Sequence, residues 1–377
     1  KSTLFELFQE YLLNNGVKEN QIQSINLENP DFKSLLNWET LYNHINQKLL
    51  PDKKNYIFID EIQNVEYFQK AADGLFIKKN VDLYLTGSNS QILSGKWATL
   101  LSGRYIEIQM LPLSFKEYIS AFEDKTDIAA KYASYLETGA FPYLLQLSGD
   151  RKQRDDYLRG IYNTIILKDI VEYKKIADVG RLERVVRFMA DNIGNLTSIK
   201  NVSDAIFADV SSAKEKRIYP QTIETYIDAL IDGFIFYKVP RFDIKGKQYL
   251  KINDKYYITD IGLRYFLLGS QTNDFGQILE NIAYLELLRR GYRIYVGKIG
   301  DKEVDFVADS YKGLEYYQVS LTILDKNTLK RELAPLEAIK DHNPKFLLTT
   351  DYLPNTSYNG IKHINVFDWL LGSDEVG

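Results

Sequence analysis

A short apolar run that ends in two carboxylates constrains the fold of this chain more than any other feature. Tyr56-Ile57-Phe58-Ile59 is followed directly by Asp60-Glu61. A compact apolar run between polar residues is typical of a strand that is buried on both faces. A helical pattern at 66–76 and a second apolar run at 82–86 come next. Strand, helix and strand at this spacing predict a βαβ unit, and hence an α/β domain with a parallel sheet.

The two carboxylates stand where ligands bind in parallel sheets, just outside the carboxyl ends of the strands. Asp60 can hold Mg²⁺, an ion that takes oxygen ligands and keeps part of its water shell. Glu61 can polarise the water that attacks a γ-phosphate. This pattern is the Walker B motif, and in isolation it is weak. An ordinary Asp-Glu pair at the end of a core strand explains it equally well.

Three further segments bear on this choice. Lys1-Ser2-Thr3 stands directly before an amphipathic helical pattern, and these residue types end the phosphate-binding loop GxxxxGK[ST]. Thr86-Gly87-Ser88-Asn89 ends the second strand with polar side chains that can hydrogen-bond the attacking water. Arg104 can stabilise transition-state charge. Each segment also has a plain alternative: an arbitrary first residue, an ordinary turn and a solvated surface arginine.

Taken together, these segments resemble the AAA+-type ATPases, and more narrowly the prokaryotic ATPases whose AAA_14-like domain is joined to a C-terminal DUF4143 region. The resemblance extends over nearly the whole chain. It is carried by Tyr56–Asn64, Asp82–Leu93, Leu100–Tyr118, Glu137–Tyr143, Lys255–Arg264, Glu303–Ala308 and Gln318–Leu321. It implies a P-loop parallel sheet with a helical lid that binds ATP and Mg²⁺.

The resemblance also implies which residues bind the nucleotide. Lys1, Ser2, Thr3, Asp60 and Ser88 would contact ATP, and Ser2, Thr3 and Asp60 would serve Mg²⁺. The glycines of the phosphate loop and the strand before it are not in the sequence, so we expect them upstream of Lys1.

Catalytic roles follow from the same resemblance. Glu61 would act on the attacking water, Asn89 or else Ser88 would be the polar sensor, and Arg104 would be the arginine finger. Because an arginine finger often acts on a neighbouring subunit, a homo-oligomer is a further expectation.

The order of patterns predicts four domains: a nucleotide-binding core at 1–112, a helical lid at 113–195, a winged-helix-like domain at 196–268 and an endonuclease-like α/β domain at 269–377. Two helical patterns followed by a strand, a turn and a strand are the order of a winged helix. Between 238 and 257 six cations outnumber two carboxylates. The candidate DNA contacts there are Arg241, Lys245, Lys247 and Lys251. The candidate recognition helix is not basic, so a protein-binding role stays equally open.

The last predicted domain resembles restriction-endonuclease-like folds, which use carboxylates and a lysine to bind Mg²⁺ and activate water. Glu280 lies on its leading helix, Asp305 on a strand, and Gln318 and Ser320 on the next strand. An active centre of that type would carry a carboxylate and a lysine at these last two positions. Gln is a poorer Mg²⁺ ligand, and Ser cannot replace an ammonium. We therefore expect a degenerate centre with a structural or DNA-contacting role.

Composition excludes several other kinds of site. The chain has no Cys, which excludes disulfides and thiolate metal sites, and its 3 His are scattered. A net charge of −4 argues against a protein that coats nucleic acid over its whole surface. No apolar run approaches the roughly 18 residues of a membrane span, and no signal peptide is visible. We therefore expect a cytoplasmic protein with no membrane partner.

The leading hypothesis is an ATPase whose nucleotide state is coupled to a DNA- or protein-binding C-terminal half. The alternative is a winged-helix binding module that does not hydrolyse ATP. An active metal-dependent nuclease is disfavoured by Gln318 and Ser320.

Overall fold

The computed structural model describes residues 1–87, 104–147, 150–171, 176, 178–208, 219–269, 274–353 and 356–373. The chain divides into two compact units, Lys1–Met110 and Leu111–Gly377. Among the described residues, no helix combines the length and the apolar character that a membrane crossing needs.

The first unit is a small parallel sheet with helices on both faces. Its elements are α1 (Ser2–Asn14), β1 (Ile22–Asn26), α2 (Trp38–Gln47), β2 (Asn55–Asp60), α3 (Phe68–Phe76) and β3 (Val81–Leu85). The strands are all parallel, in the order β1-β2-β3. The βαβ unit predicted from the two apolar runs is therefore confirmed as β2-α3-β3. The third strand, β1, lies in a stretch where the sequence pattern predicts none.

The two faces of this sheet are covered by different helices. Ile57 and Ile59 of β2 belong to a buried core that also contains side chains of α2 and α3. Phe58 points to the other face, where its ring lies 5.1 Å from that of Phe5 in α1. Because side chains alternate along a strand, Asp60 shares the face of Phe58, which α1 covers. The alternation therefore brings the last carboxylate of β2 towards α1.

The second unit begins with a helical region. Its helices are α4 (Phe115–Ser120), α5 (Ile128–Thr138), α6 (Arg151–Asn163) with a π-helical continuation (Thr164–Val171), α7 (Val179–Asp191), α8 (Ile199–Ala208) and α9 (Pro220–Asp232). Two of its segments are joined by a buried carboxylate, because Asp260 accepts hydrogen bonds from the backbone N–H groups of Ala140 at 2.5 Å and Leu263 at 2.7 Å.

A mixed sheet with its helices completes the second unit. These elements are β4 (Phe236–Asp243), β5 (Gln248–Ile258), α10 (Ile261–Leu268), α11 (Phe275–Arg289), β6 (Arg293–Ile299), β7 (Lys302–Ser310), β8 (Gly313–Val319), α12 (Lys326–Ala338), β9 (Lys345–Thr349), β10 (Ser357–Tyr358), β11 (Ile361–Asn365) and α13 (Val366–Leu371). The strand order is β10-β11-β9-β8-β7-β6-β4-β5.

The hairpin predicted as a wing is part of this sheet. β4 pairs antiparallel with β5, and its far end pairs parallel with β6 from Arg241 to Asp243. Phe306 of β7 packs in the core that includes α11, whereas Val307 packs in the core that includes α12. The sheet is therefore covered on both faces, and β5 forms one of its edges.

Candidate functional site

The first helix begins where the Walker B strand ends. α1 starts at Ser2, and the hydroxyl of Ser2 donates to Oδ2 of Asp60 at 2.5 Å. Asp60 is only 5% exposed. The N-terminus of a helix carries partial positive charge, so the carboxylate lies in a favourable field. The structure thus brings together two of the residues that the sequence assigns to ATP and Mg²⁺.

The ends of β2 and β3 are joined by the hydroxyl of Thr86. This hydroxyl donates to Oδ1 of Asp60, and it accepts a hydrogen bond from the backbone N–H of Glu61 at 3.3 Å. Together with Ser2, Thr86 gives each oxygen of Asp60 a hydroxyl partner. The sequence marks Thr86 as a polar strand end but does not single it out as a site residue.

Lys1 lies beside the same carboxylates. Its ammonium donates to the backbone carbonyl of Gly87. Partial burial lowers the pKa of Lys1, and the nearby charges of Glu61 and Asp60 oppose that shift. A lysine held this close to a strand end and a helix N-terminus is suited to an anionic ligand.

Glu61 adopts the left-handed conformation, with φ 56° and ψ 48°. Non-glycine residues with positive φ are uncommon, and such strain occurs often at functional sites. The side-chain carboxylate of Glu61 accepts a hydrogen bond from the amide of Gln63. The backbone therefore turns sharply after Asp60, and the two carboxylates have different surroundings.

The other predicted residues of this site have separate outcomes. Thr3 is exposed, and within the described contacts the hydroxyl of Ser2 rather than that of Thr3 meets Asp60. Ser88 and Asn89 lie outside the described residues. Arg104 forms an ion pair with Asp73 of α3 at 2.9 Å, and both side chains are more than one-third exposed. Its proposed role as an arginine finger stays a prediction.

The donor set around Asp60 fits a hard cation. A serine hydroxyl and a carboxylate are oxygen ligands, and Mg²⁺ is usually held by one or two protein carboxylates together with substrate phosphates and water. Within the described part of the chain, no three acidic or histidine side chains are arranged to hold a metal ion. A site that completes its coordination with a nucleotide does not need such a trio.

A second constellation lies in the C-terminal unit. The four residues of the predicted degenerate nuclease centre all line one cavity of about 830 Å³: Glu280, Asp305, Gln318 and Ser320. Asp305 accepts a hydrogen bond from the backbone N–H of Val319 at 2.9 Å. Burial raises the pKa of Asp305 well above its usual range. The negative charge of Glu280 raises it further, while Lys255 and the Val319 N–H oppose the shift. The four residues therefore share one cavity, and their role as a degenerate nuclease centre stays a prediction.

Gln318 and Ser320 have partners that explain their presence without chemistry. Gln318 accepts from the backbone N–H of Asp305 at 3.3 Å and donates to Glu332 at 3.0 Å. The hydroxyl of Ser320 donates to the carbonyl of Thr322 at 3.2 Å. The amide of Gln318 therefore bridges β7 and α12 inside the cavity wall.

Sequence analysis missed the central residue of this cavity. Lys255 is one of the six cations counted in the hairpin region, which suggested a solvated basic face. In the structure it is only 4% exposed, and its ammonium lies 2.8 Å from a carboxylate oxygen of Glu280 and 2.8 Å from one of Glu303. Of the candidate DNA contacts, Lys245 and Lys247 are exposed and Arg241 is half-buried, while the side chain of Lys251 lies outside the described residues.

Comparison with known proteins identifies two relatives that cover most of the chain. A protein of Haemophilus influenzae named "Uncharacterized protein" is 38% identical over 375 residues, which are 98% of this chain and 91% of that protein. The chain belongs to the family of this Haemophilus protein. A second relative, "Uncharacterized protein MJ1544" of Methanocaldococcus jannaschii, is 27% identical over 305 residues, covering 76% of this chain and 65% of that protein.

Two segments of the chain match models of known domain families. Residues 1–119 match a family described as an AAA domain, so the N-terminus carries an AAA-type, ATPase-like domain. Residues 129–274 match a domain of unknown function, DUF8612. The expected DUF4143 region is therefore wrong, because the domain that follows the AAA domain is DUF8612.

One solved structure, the crystal structure of protein VC1899 from Vibrio cholerae, aligns with 89% of this chain and 77% of that chain at 9% sequence identity. Its TM-score is 0.19, too low to support any conclusion about the fold.

Proposed function

We propose that this protein is a Mg²⁺-dependent ATPase whose nucleotide site is formed by the start of α1 and the ends of β2 and β3. The observation that supports the proposal best is the contact of the Ser2 hydroxyl with Asp60 at 2.5 Å, within a parallel sheet that matches an AAA domain. This contact joins the last residues of one expected motif to the first carboxylate of the other, which are 58 positions apart.

Groups at the N-terminus of α1 would bind the nucleotide. Lys1 supplies positive charge for the phosphates, and the free N–H groups of the first turn of α1 add partial positive charge. Ser2 and Asp60 provide oxygen ligands for Mg²⁺, and Thr3 is a further hydroxyl in the same turn. Mg²⁺, when bound, neutralises charge on the phosphates.

Hydrolysis needs a group that positions water, and Glu61 is our candidate. Its left-handed backbone sets its carboxylate apart from Asp60, whose two oxygens already have hydroxyl partners. Asn89, or else Ser88, would hydrogen-bond the water or the γ-phosphate. Arg104 would stabilise transition-state charge in a homo-oligomer, in which case its ion pair with Asp73 would have to open.

The test is ATP hydrolysis by the purified protein, measured with and without DNA, for the wild type and for Glu61→Gln. The variant should bind ATP with unchanged affinity and hydrolyse it about 10²–10⁴-fold more slowly, since it loses the group that activates water. Glu66→Gln is the matched control, because Glu66 is an exposed carboxyl five residues further along the loop, and it should hydrolyse ATP like the wild type. A wild type that binds ATP without hydrolysis would favour the binding module instead.

For the C-terminal unit we propose DNA or protein binding without cleavage, through a winged-helix-like region followed by an endonuclease-like fold. Support comes from the exposed Lys245 and Lys247 at the tip of the hairpin and from the neutral Gln318 and Ser320 in the cavity. DNA binding should weaken as salt rises and should be lost in the double variant Lys245→Glu, Lys247→Glu. Cleavage of DNA with Mg²⁺ that Asp305→Ala abolishes would contradict the proposal.

A further inference from the structure

The cavity of the C-terminal unit is organised around one buried cation. Strand β5 carries Lys255 into the cavity, where its side chain is only 5% exposed. Its ammonium lies 2.8 Å from Glu280 on α11, 2.8 Å from Glu303 on β7 and 3.9 Å from Asp305 on the same strand. Three carboxylates from two elements therefore converge on a single positive group.

These contacts outweigh the cost of burying the charge. Burial alone lowers the pKa of Lys255, but the carboxylates of Glu280, Asp305 and Glu303 together raise it above its ordinary value. Glu280 is held in addition by the hydroxyl of Tyr257, which donates to it at 2.6 Å. The carboxylates thus favour the charged form of Lys255, and Tyr257 holds Glu280 beside it.

Carboxylate oxygens that converge on one point are also what a divalent cation requires. In the described residues, however, no three acidic or histidine side chains are arranged as a metal site. The ammonium of Lys255 stands between the carboxylates, because it donates a hydrogen bond to Glu280 and lies 2.8 Å from Glu303. An ion and this ammonium cannot occupy the same point.

The charge of the cavity wall supports the same conclusion. Besides Lys255, the cationic side chains that line it are Lys302 and Arg331, and Glu332 joins the three carboxylates named above. With every carboxyl counted as ionised, these groups leave a formal excess of one negative charge. Removal of Lys255 would raise the excess to two, which one divalent cation balances.

We propose that the ammonium of Lys255 is an internal counter-ion that takes the place of a divalent metal in this cavity, and that Glu280, Glu303 and Asp305 bind one such metal when the ammonium is removed. The wild-type cavity therefore contains no divalent ion and performs no metal-dependent chemistry. This inference extends the proposal that the C-terminal unit does not cleave DNA, and it is independent of ATP hydrolysis.

The experiment is a titration of nucleotide-free full-length protein with Mn²⁺, followed by the electron paramagnetic resonance signal of the free ion. Wild type, Asp305→Asn, Lys255→Met and the double variant Lys255→Met, Asp305→Asn are compared. The Asp60 site is the same in all four proteins, so any weak binding there cancels in the differences. Lys255→Met should bind about one additional Mn²⁺ per chain at about 1 mM, where weak carboxylate sites fill, and the double variant should lose it.

Two results would overturn the proposal. One is a wild type that already binds Mn²⁺ in a way that Asp305→Asn alone abolishes, because the lysine would then coexist with a metal. The other is a folded Lys255→Met that binds no more Mn²⁺ than the wild type. If this variant is unfolded without metal, Mn²⁺ should restore its cooperative thermal transition through linkage, and failure to restore it is equally contrary. Neither result affects the outcome of the Glu61→Gln experiment.

Discussion

Both units of this protein place a lysine beside carboxylates, but the two clusters differ in how completely their groups are paired. In the first unit, Lys1 donates to a backbone carbonyl, and Asp60 is held by two hydroxyls. In the second, Lys255 contacts the carboxylates of Glu280 and Glu303, and the hydroxyl of Tyr257 also donates to Glu280. The ammonium of Lys1 thus lies against a neutral carbonyl, whereas that of Lys255 lies against carboxylates.

The comparison teaches that residue types alone do not distinguish a binding site from a structural network. Lysine, aspartate and glutamate occur in both clusters, and both lie at the ends or edges of sheets. The two clusters differ in the burial of their lysines, because Lys1 is exposed as a residue, whereas Lys255 is 4% exposed. The predictions that follow test this contrast, beginning with the largest effect.

Removal of the buried lysine should be strongly destabilising. Lys255→Met leaves the half-buried carboxylates of Glu280 and Glu303 without their buried cation, and breaking a buried ion pair by deleting one partner typically costs about 3–5 kcal/mol. Urea unfolding of the full chain without metal measures the change. Lys245→Met is the matched control, since it removes the same group from an exposed position of the same hairpin. It should alter the free energy of unfolding by no more than about 0.5 kcal/mol. Equal effects of the two variants would contradict the contrast.

Asp260 is a buried charged residue of a different kind from Lys255, because its partners are backbone N–H groups rather than side chains of opposite charge. Asp260 is 1% exposed, and burial raises its pKa to about 6, although the N–H groups of Ala140, Leu263 and Gly262 oppose the shift. Because the folded value exceeds the usual 3.8, the protein binds this proton more tightly when folded. The stabilisation is complete below about pH 3.8 and is lost as pH rises through about 6, in total about 3 kcal/mol at 1.36 kcal/mol per pH unit.

Asp260→Asn should remove this part of the pH dependence, because an amide does not titrate. The measurement is the free energy of unfolding from pH 4 to pH 7, compared between wild type and variant. The difference between the two proteins should change by about 2.4 kcal/mol over that range. Asp301→Asn, which changes an exposed carboxyl, should leave the slope of the wild type intact. A slope unaltered by Asp260→Asn would show that its carboxyl titrates normally.

The smallest effect concerns two adjacent hydroxyls in the first unit. Ser2 contacts Asp60 and Thr3 is exposed, so Ser2→Ala should weaken ATP binding in the presence of Mg²⁺ by about 3–10-fold, the value of one hydrogen bond. Thr3→Ala should bind like the wild type. Titration with a fluorescent ATP analogue measures both. A larger loss in Thr3→Ala would assign the metal-side hydroxyl to Thr3 instead.

The sequence predicts the contact of Ser2 with Asp60 because the pattern that indicates it is local. An apolar run such as Ile57–Ile59 predicts a buried strand, and the two carboxylates that follow it mark the carboxyl end of that strand. In a parallel sheet the start of a helix such as α1 lies beside this edge. The strand β1 was not predictable in the same way. Its residues alternate polar and apolar weakly, and only Ile25 among them is buried. Tertiary pairing with β2, rather than its own pattern, makes it a strand.

The central lysine of the second cluster could not be predicted from sequence for a different reason. Its carboxylate partners lie 25 positions away in Glu280 and farther still in Glu303 and Asp305. In its own segment Lys255 follows other cations and looks solvated. The four residues of the predicted degenerate centre, by contrast, do line one cavity.

The position of Lys255 on β5 has a consequence for anyone who wishes to divide this protein into fragments. A cut between the region at 196–268 and the one at 269–377 would leave Glu280, Glu303 and Asp305 on one piece and their counter-charge on the other. Each piece would also expose a sheet edge, since β4 and β6 are paired. We therefore expect neither fragment to fold as the intact protein does. A hairpin moved into another protein would contain Lys255 without its carboxylate partners.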